Sequence, residues 1–489
     1  MSSAAAQLLP EDAPWRTIWR LAWPQALMMF FNFLIGFVDV YVAGMLDMRV
    51  QASLGLITSC LFFLLIVAVA AANGAVAAIS QSLGAGRQAR ALRFVGLVLA
   101  AGLVGGVLLA GLGWLGRDLF LAALQVPAEL RDVTRYFLSV YLLLLPVYYL
   151  FLVSNAVFRA RRQVMAPLYA MGLAAALNTA LDFGLGLGWW GLPDLGFRGL
   201  AWATFGSVCG GAALNLWVLR RQGLLVRAAL PAWRWSRPAL AYLSRVAWPA
   251  GLMQVLWQTG FLVLFAITAA LPAENITAMA GMTAGLRVES ILFLPGFAFN
   301  MTASVLVGNY LGAGRPAEAK AFGFRIWAVG VASIGLLTLA VWRFTPEIAA
   351  LLSPEPAVQE QTRSYLFYNF LAIPFTLTSM ILGGAFAGAG ATIYNLAIFG
   401  TTVWCLRLPL AWWLGHRYLG RAEGVWIAQL ASQVVQSMTL LYFYQFGNWQ
   451  RFALAGRRRR TPEPPVKGAV GEPTALACAD APGCREEDA

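Results

Sequence analysis

Three acidic side chains lie inside long apolar stretches of this 489-residue chain: Asp39, Asp182 and Glu289. An ionised carboxylate at the centre of a lipid bilayer costs about 2.5–3.5 kcal/mol on insertion scales, so it needs a partner, a water-filled cavity or a function. The plainer alternative, an acid close enough to a helix end to reach headgroup water, stays open for each of the three. Carboxyl groups held away from bulk water bind and release protons, so these residues suggest proton transfer.

Two of the acids have an amide side chain on the same face of a predicted helix. Asn178 precedes Asp182 by four residues, and Asn32 precedes Asp39 by seven. Both spacings align side chains on one helix face. The two aspartates lie 18 and 17 residues from the same side of the membrane, which at about 1.5 Å per residue gives nearly equal depths. The sequence therefore predicts one hydrated pocket that Asp39 and Asp182 share.

Such a pocket would suit the coupling of proton entry to transport. Burial favours the protonated form of an aspartate, and a second carboxylate nearby favours it further. One pH unit across a membrane is worth about 1.4 kcal/mol per proton, enough to concentrate a monovalent solute roughly tenfold. Coupling requires that the protonated and deprotonated states favour different conformations or different substrates.

Glu289 has a different neighbourhood. Arg287 lies two residues before it, a spacing that does not place the two side chains on one helix face. The pattern favours a structural ion pair between Glu289 and another helix over a role in transport.

The composition predicts the elements that must position these acids. The chain is 60% hydrophobic and 12% charged, about half of the charged fraction of a soluble domain. Windows of roughly twenty apolar residues cross a bilayer core about 30 Å thick. We predict an all-α polytopic membrane protein with twelve spans: 21–45, 53–81, 93–116, 134–158, 167–188, 199–219, 246–271, 277–309, 322–342, 364–387, 393–415 and 424–447.

The net charge of +13 is a topology signal rather than a sign of nucleic-acid binding. Most of the Lys and Arg residues fall in loops on one side of the predicted membrane, and positive loops stay cytoplasmic. We therefore expect a multi-pass protein of the bacterial inner membrane with both termini in the cytoplasm. The N-terminus lacks the basic residues of a cleaved signal. The five cysteines show no metal-binding or redox spacing.

The chain repeats itself. QSLGAGR at 81–87 returns as NYLGAGR at 309–315, and RLAWPQALM at 20–28 returns as RVAWPAGLM at 245–253. Two further landmarks recur in order, so each half holds six spans in one orientation, an arrangement suited to alternating access. We predict an N-terminal segment 1–14, a first lobe 15–219, a linker 220–245, a second lobe 246–447 and a basic, then disordered tail 448–489.

The repeated LGAGR is best explained as a helix end, where glycine adopts the left-handed conformation. A phosphate-binding loop would need a longer glycine pattern followed by Lys and Ser or Thr, which neither copy has. Pro24 and Pro249, the matched prolines of the two WP pairs, are candidate hinges. Prolines at the start of a helix are an equally good interpretation.

The ordered set of twin WP pairs, twin LGAG turns and doubled six-span halves resembles the MATE family of multidrug and toxic compound extrusion transporters, and its DinF-like bacterial branch, over about residues 15–447. The resemblance implies two six-helix lobes and proton-coupled drug export that uses a first-lobe acid pair. Its proton and substrate residues would be Asp39, Asp182, Asn178, Asn32, Asn155, Thr204 and Tyr141.

The NorM-like branch of that family has an acid eight residues after the proline of span 7. This chain has Trp257 there, and its predicted span 364–387 contains no acid, which favours protons over sodium as the coupling ion. We expect no cofactor, metal, nucleic acid or ATPase subunit, and a monomer that acts on drug-like molecules.

Other interpretations remain. A lipid or lipid-linked oligosaccharide flippase of the same superfamily is the nearest alternative, a sodium-coupled exporter the next, and a channel ranks lower. An intramembrane enzyme is disfavoured, because the only histidine, His416, is not part of an HExxH motif.

Overall fold

The computed structural model describes residues 14–226 and 231–454. Twelve long helices fill these ranges: α1 Pro14–Leu46, α2 Met48–Gly84, α3 Gln88–Ala123, α4 Ala128–Ala160, α5 Met165–Gly186, α6 Phe197–Arg221, α7 Trp233–Ala269, α8 Asn275–Gly312, α9 Pro316–Trp342, α10 Pro356–Gly388, α11 Thr392–Tyr418 and α12 Ala422–Phe446. A short helix, Thr345–Leu352, joins α9 to α10.

The twelve-helix architecture is confirmed, and each predicted span lies on one helix. Within the described residues, eleven of the helices are long and apolar enough to cross a membrane. The exception is α12, which carries Gln429, Gln433 and Gln436. Helices dominate because the bilayer core offers no water to hydrogen-bond the backbone, so each span must satisfy its own N–H and C=O groups.

The predicted linker 220–245 includes the ends of two helices. α6 continues to Arg221 and α7 begins at Trp233, so most of that segment is helix. Ala239 and Leu243, in the first turns of α7, are buried in an apolar cluster with the end of α2. The second part of the predicted linker is therefore packed helix.

The predicted tail 448–489 begins with ordered structure. After α12 the chain forms a further helical turn, Trp449–Phe452, in which Trp449 is fully buried. The disorder predicted for the remainder of the tail concerns residues 455–489, which lie outside the described residues, as do Cys478 and Cys484.

Helices α2, α6, α8 and α10 end on the same side of the bundle, the side on which α1 begins and α12 ends. We call this side the basic face, because its turns carry the arginines of the sequence pattern. At each of these four ends a glycine adopts the left-handed conformation: Gly86, Gly223, Gly314 and Gly390. The helix-end interpretation of LGAGR therefore holds for the second glycine of each copy.

The first glycine of each copy has a different role, at the seam between the two lobes. A methyl group on Gly84 would overlap the carbonyl oxygen of Asn309, and one on Gly312 would overlap that of Gln81. Helices α2 and α8 therefore touch backbone to backbone beside the basic face. The contact is reciprocal, since each half supplies one glycine and one carbonyl.

Pro24 and Pro249 lie well inside helices rather than at helix starts. α1 begins at Pro14 and α7 at Trp233, so the helix-start interpretation of both prolines is wrong. A proline inside a helix removes one backbone hydrogen bond and favours a kink. The interior positions keep both residues as candidate hinges.

Candidate functional site

Asp39 of α1 and Asp182 of α5 lie side by side in the first lobe. Their carboxyl groups are within hydrogen-bonding reach of each other. The amide Nδ2 of Asn178, one turn before Asp182, donates to Oδ1 of Asp39 over 3.0 Å. Asp182 and Asn178 are fully buried, and Asp39 is half-buried. The equal depths read from the sequence thus correspond to direct contact.

The donors around this pair are few. No N–H or O–H of the described residues donates to either carboxyl oxygen of Asp182. One carboxyl group donates a hydrogen bond to another only when it carries a proton. Two ionised carboxylates within hydrogen-bonding reach of each other would repel, so the geometry suits a pair that shares one proton.

The backbone changes at Asp182. α5 is α-helical to Leu181 and then widens into a π-helical turn, Asp182–Gly186. Single π-helical turns inside α-helices are rare and frequently occur at functional sites. The sequence shows only a GLGLG run after Asp182, which signals flexible backbone but does not specify this turn.

Helices α4 and α6 close the other side of the pocket. The hydroxyl of Tyr141 lies 3.5 Å from Oγ1 of Thr204, and both side chains are buried. Tyr141 is close enough to interact electrostatically with both aspartates. Tyr148, which the sequence analysis missed, lies near Asp39. Its signal was the spacing of seven from Tyr141, which places both rings on one face of α4.

Comparison with known proteins identifies the family. The MatE family model matches residues 24–183 and 249–413, one block in each lobe. The chain belongs to the MatE family. A probable multidrug resistance protein NorM of Thermotoga maritima is 27% identical over 434 residues, covering 87% of this chain and 91% of that protein. The multidrug resistance protein PmpM of Pseudomonas aeruginosa is 26% identical and covers 78% and 80%.

Solved structures of the MatE family share the fold. A crystal structure of MATE in complex with MaL6 superposes with a TM-score of 0.83 at 18% identity, covering 92% of this chain and 99% of that one. An outward-facing multidrug resistance MATE transporter of the MOP superfamily gives 0.81 at 18% identity, covering 93% and 100%. The fold of this chain is therefore that of the solved MATE structures.

Two residues predicted from the MATE resemblance lie apart from the acid pair. Asn155 is fourteen residues along α4 from Tyr141, about 21 Å at 1.5 Å per residue. It accepts a hydrogen bond from Nδ2 of Asn215 over 2.7 Å in a separate buried cluster. Asn32 is exposed, two turns from Asp39 on α1. The structure therefore brings neither Asn155 nor Asn32 into contact with the acid pair.

The second lobe of this MatE chain holds a different polar cluster. The hydroxyl of Tyr365 donates to Oε2 of Glu289 over 2.7 Å. The Nε of Arg407 donates to Oγ of Ser432 over 2.7 Å, and Arg407 is close enough to interact electrostatically with Glu289. Within the described residues no cationic nitrogen lies within 4.0 Å of Glu289, so the predicted ion pair is wrong as a direct contact. The hydroxyl of Tyr365, rather than a cation, contacts Glu289 directly.

At the position of the acid in the NorM-like branch, Trp257 packs as an aromatic residue. Its ring stacks on Phe399 with centroids 5.4 Å apart. Among the described residues, no three His, Cys, Asp or Glu side chains group as a metal site. Cys60, Cys209 and Cys405 are free thiols.

Proposed function

We propose that this MatE protein exports drug-like organic compounds in exchange for protons, and that the proton binds the Asp39–Asp182 pair. The observation that carries the proposal is the contact between two carboxyl groups in a buried pocket with one amide donor, Asn178. The names of its relatives as multidrug resistance proteins support the substrate class.

The pair supplies a switch between α1 and α5. With one proton bound, Asp39 and Asp182 attract each other and hold the two helices together. With none bound, two negative charges repel each other in surroundings of low dielectric constant, which drives α1 away from α5 or recruits a cationic substrate. Proton and substrate then compete for one pocket, as antiport requires.

The pocket suits amphipathic cations. Tyr141 and Tyr148 present aromatic rings beside the carboxyl groups, and a cation over such a ring gains about 0.5–2 kcal/mol. Substrate recognition that rests on rings and unpaired charge rather than on many fixed hydrogen bonds tolerates many ligands.

The proposal places the basic face in the cytoplasm, following the positive-inside rule. The protein then lies in the bacterial inner membrane with both termini inside and works as a monomer without an ATPase subunit. Trp257 in place of an acid favours the DinF-like branch and protons over sodium.

Reconstituted liposomes test the proposal. A fluorescent organic cation should accumulate under an imposed pH gradient, and Asp39→Asn and Asp182→Asn should each reduce that flux to the level of protein-free liposomes. Asp118→Asn is the matched control. Asp118 is an exposed acid that pairs with Arg135 at the end of the bundle opposite the basic face. Normal flux in both pocket variants would overturn the assignment.

Two further arms address the alternatives. Flux driven by a sodium gradient at equal pH would favour sodium coupling. Translocation of a fluorescent lipid that requires the same two aspartates would favour the flippase.

A further inference from the structure

The segment 447–454, here called the strap, leaves the end of α12 and crosses the basic face. The ring of Trp449 stacks on Tyr444 with centroids 4.8 Å apart, and its indole N–H donates to the carbonyl oxygen of Tyr444 over 3.0 Å. The ring of Phe452 meets Tyr394 of α11 at 5.8 Å. These contacts fix the first part of the strap to the second lobe.

The last residue of the strap contacts the first lobe. Leu454 packs against the apolar cluster that contains Leu83 of α2 and Phe94 of α3. Its backbone N–H donates to Oε1 of Gln81 over 2.6 Å. The strap therefore spans the seam between the lobes.

Gln81 connects three parts of the molecule through one buried amide. While Oε1 accepts from Leu454, Nε2 donates to the carbonyl oxygen of Gly388 at the end of α10, over 2.7 Å. Gln81 is fully buried beside Gly312 at the seam. Its side chain thus links the first lobe to the second lobe twice, once directly and once through the strap.

The equivalent residue of the other half does not make this link. Asn309 occupies the place of Gln81 in the second copy of the repeat, and its Nδ2 donates to Val305 of its own helix over 2.8 Å. The backbone contact at the seam is symmetric, whereas the side-chain contact is one-sided. The strap bonds to Gln81 of the first copy.

We propose that the strap is a latch, which holds the seam between α2 and α8 closed and must release Gln81 before the basic face can open. Because the strap is anchored on one lobe and bonded to the other, any motion that separates α2 from α8 has to break the Leu454–Gln81 contact. Loss of either partner leaves a buried amide group unsatisfied, which opposes partial opening.

Alkylation of a thiol at the seam measures this opening directly. Ser80 is fully buried and faces Gly308 across the seam, so Ser80→Cys in a chain whose five native cysteines are serine reports access to a water-soluble maleimide. We compare a chain that ends after Gly447 with one that ends after Leu454. Both lack residues 455–489, so they differ only by residues 448–454.

The shorter chain should be alkylated about tenfold faster. This corresponds to a decrease of about 1.4 kcal/mol in the free energy needed to open the seam. Equal rates in two folded chains would overturn the proposal. The measurement needs no ion gradient, so its result does not depend on the coupling assignment.

Point variants of the full-length chain give a second, matched test. Gln81→Ala removes the amide that receives the strap, and Asn309→Ala removes the equivalent amide that bonds its own helix. We expect about tenfold faster alkylation for the first and a change within about twofold for the second. Equal rates in the two variants would overturn the latch, and this comparison decides alone if the shorter chain does not fold.

Discussion

The two lobes share a fold and differ in how their buried charges are balanced. In the first lobe, Asp39 and Asp182 face each other with Asn178 as the amide donor. In the second lobe, Glu289 accepts from the hydroxyl of Tyr365 and interacts electrostatically with Arg407 without direct contact. Helices α5 and α11 hold equivalent places in their lobes, yet one carries an aspartate and the other an arginine.

This difference indicates where a proton can change the structure. The charge of Glu289 is stabilised by a hydroxyl donor, Tyr365, and by the nearby cation Arg407. A pair of carboxylates with no cation is balanced only by a proton or by a cationic ligand. Under the proposed function, we therefore expect the first lobe to respond to a proton more than the second.

The sharpest contrast comes from neutralising one acid in each lobe. Asp39→Asn should reduce proton-driven efflux to the protein-free level, whereas Glu289→Gln should retain proton-driven efflux, because Tyr365 can still donate to the glutamine oxygen. Both are measured in the same liposomes under the same pH gradient. Loss of coupling in Glu289→Gln with a folded protein would remove the distinction between the lobes.

Removing the cation of the second lobe should cost the most stability. Arg407→Met removes a buried cation that interacts with Glu289 without direct contact. We therefore expect a loss at the lower end of the about 3–5 kcal/mol that breaking a buried charge pair costs. Thermal unfolding in detergent should show a clearly lower midpoint. The double variant with Glu289→Gln should recover much of the loss, and an unchanged midpoint in the single variant would contradict the electrostatic account.

A smaller effect is expected from the pocket wall. Tyr141→Phe removes one hydroxyl beside Thr204 and should lower proton-driven flux by about three- to tenfold, since a hydrogen bond contributes about 0.5–1.5 kcal/mol. Tyr41→Phe, on the exposed face of α1, is the control. Equal flux in the two variants would exclude Tyr141 from the site.

The smallest effect concerns the helix ends at the basic face. The equivalent residues Arg162 and Gly390 both adopt the left-handed conformation, with φ of 62° and 77°. Gly390→Ala should lower the free energy of unfolding by about 1–2 kcal/mol, because this conformation strains a side chain. Gly36→Ala, at an open helical position, should be neutral or slightly stabilising. An unchanged free energy of unfolding in Gly390→Ala would show that the turn relaxes and would contradict the strain argument.

The sequence predicted best those features that depend only on distance along a helix. Helix number follows from apolar length, and the meeting of Asp39 with Asp182 follows from equal depth along two helices. The position of Asn155 could not be obtained in this way, because a motif match fixes a residue on its helix but gives neither its depth nor its neighbours.

Contacts that depend on backbone detail were also beyond the sequence. The π-helical turn at Asp182 shifts the register of α5, and no residue type specifies it uniquely. The strap looked like the beginning of a charged tail, since its anchor is a single Trp449, which packs on Tyr444 of α12 and on Phe386 of the distant α10. A lone aromatic residue just after a predicted span was the available signal.

The glycine seam has a consequence for the origin of the molecule. Gly84 meets Asn309 while Gly312 meets Gln81, so each half presents the same surface to the other. This is the isologous contact by which two identical subunits form a twofold dimer. An ancestral chain of six helices could present this same surface to a second copy of itself. Fusion of the two copies would then free each to acquire its own buried charges.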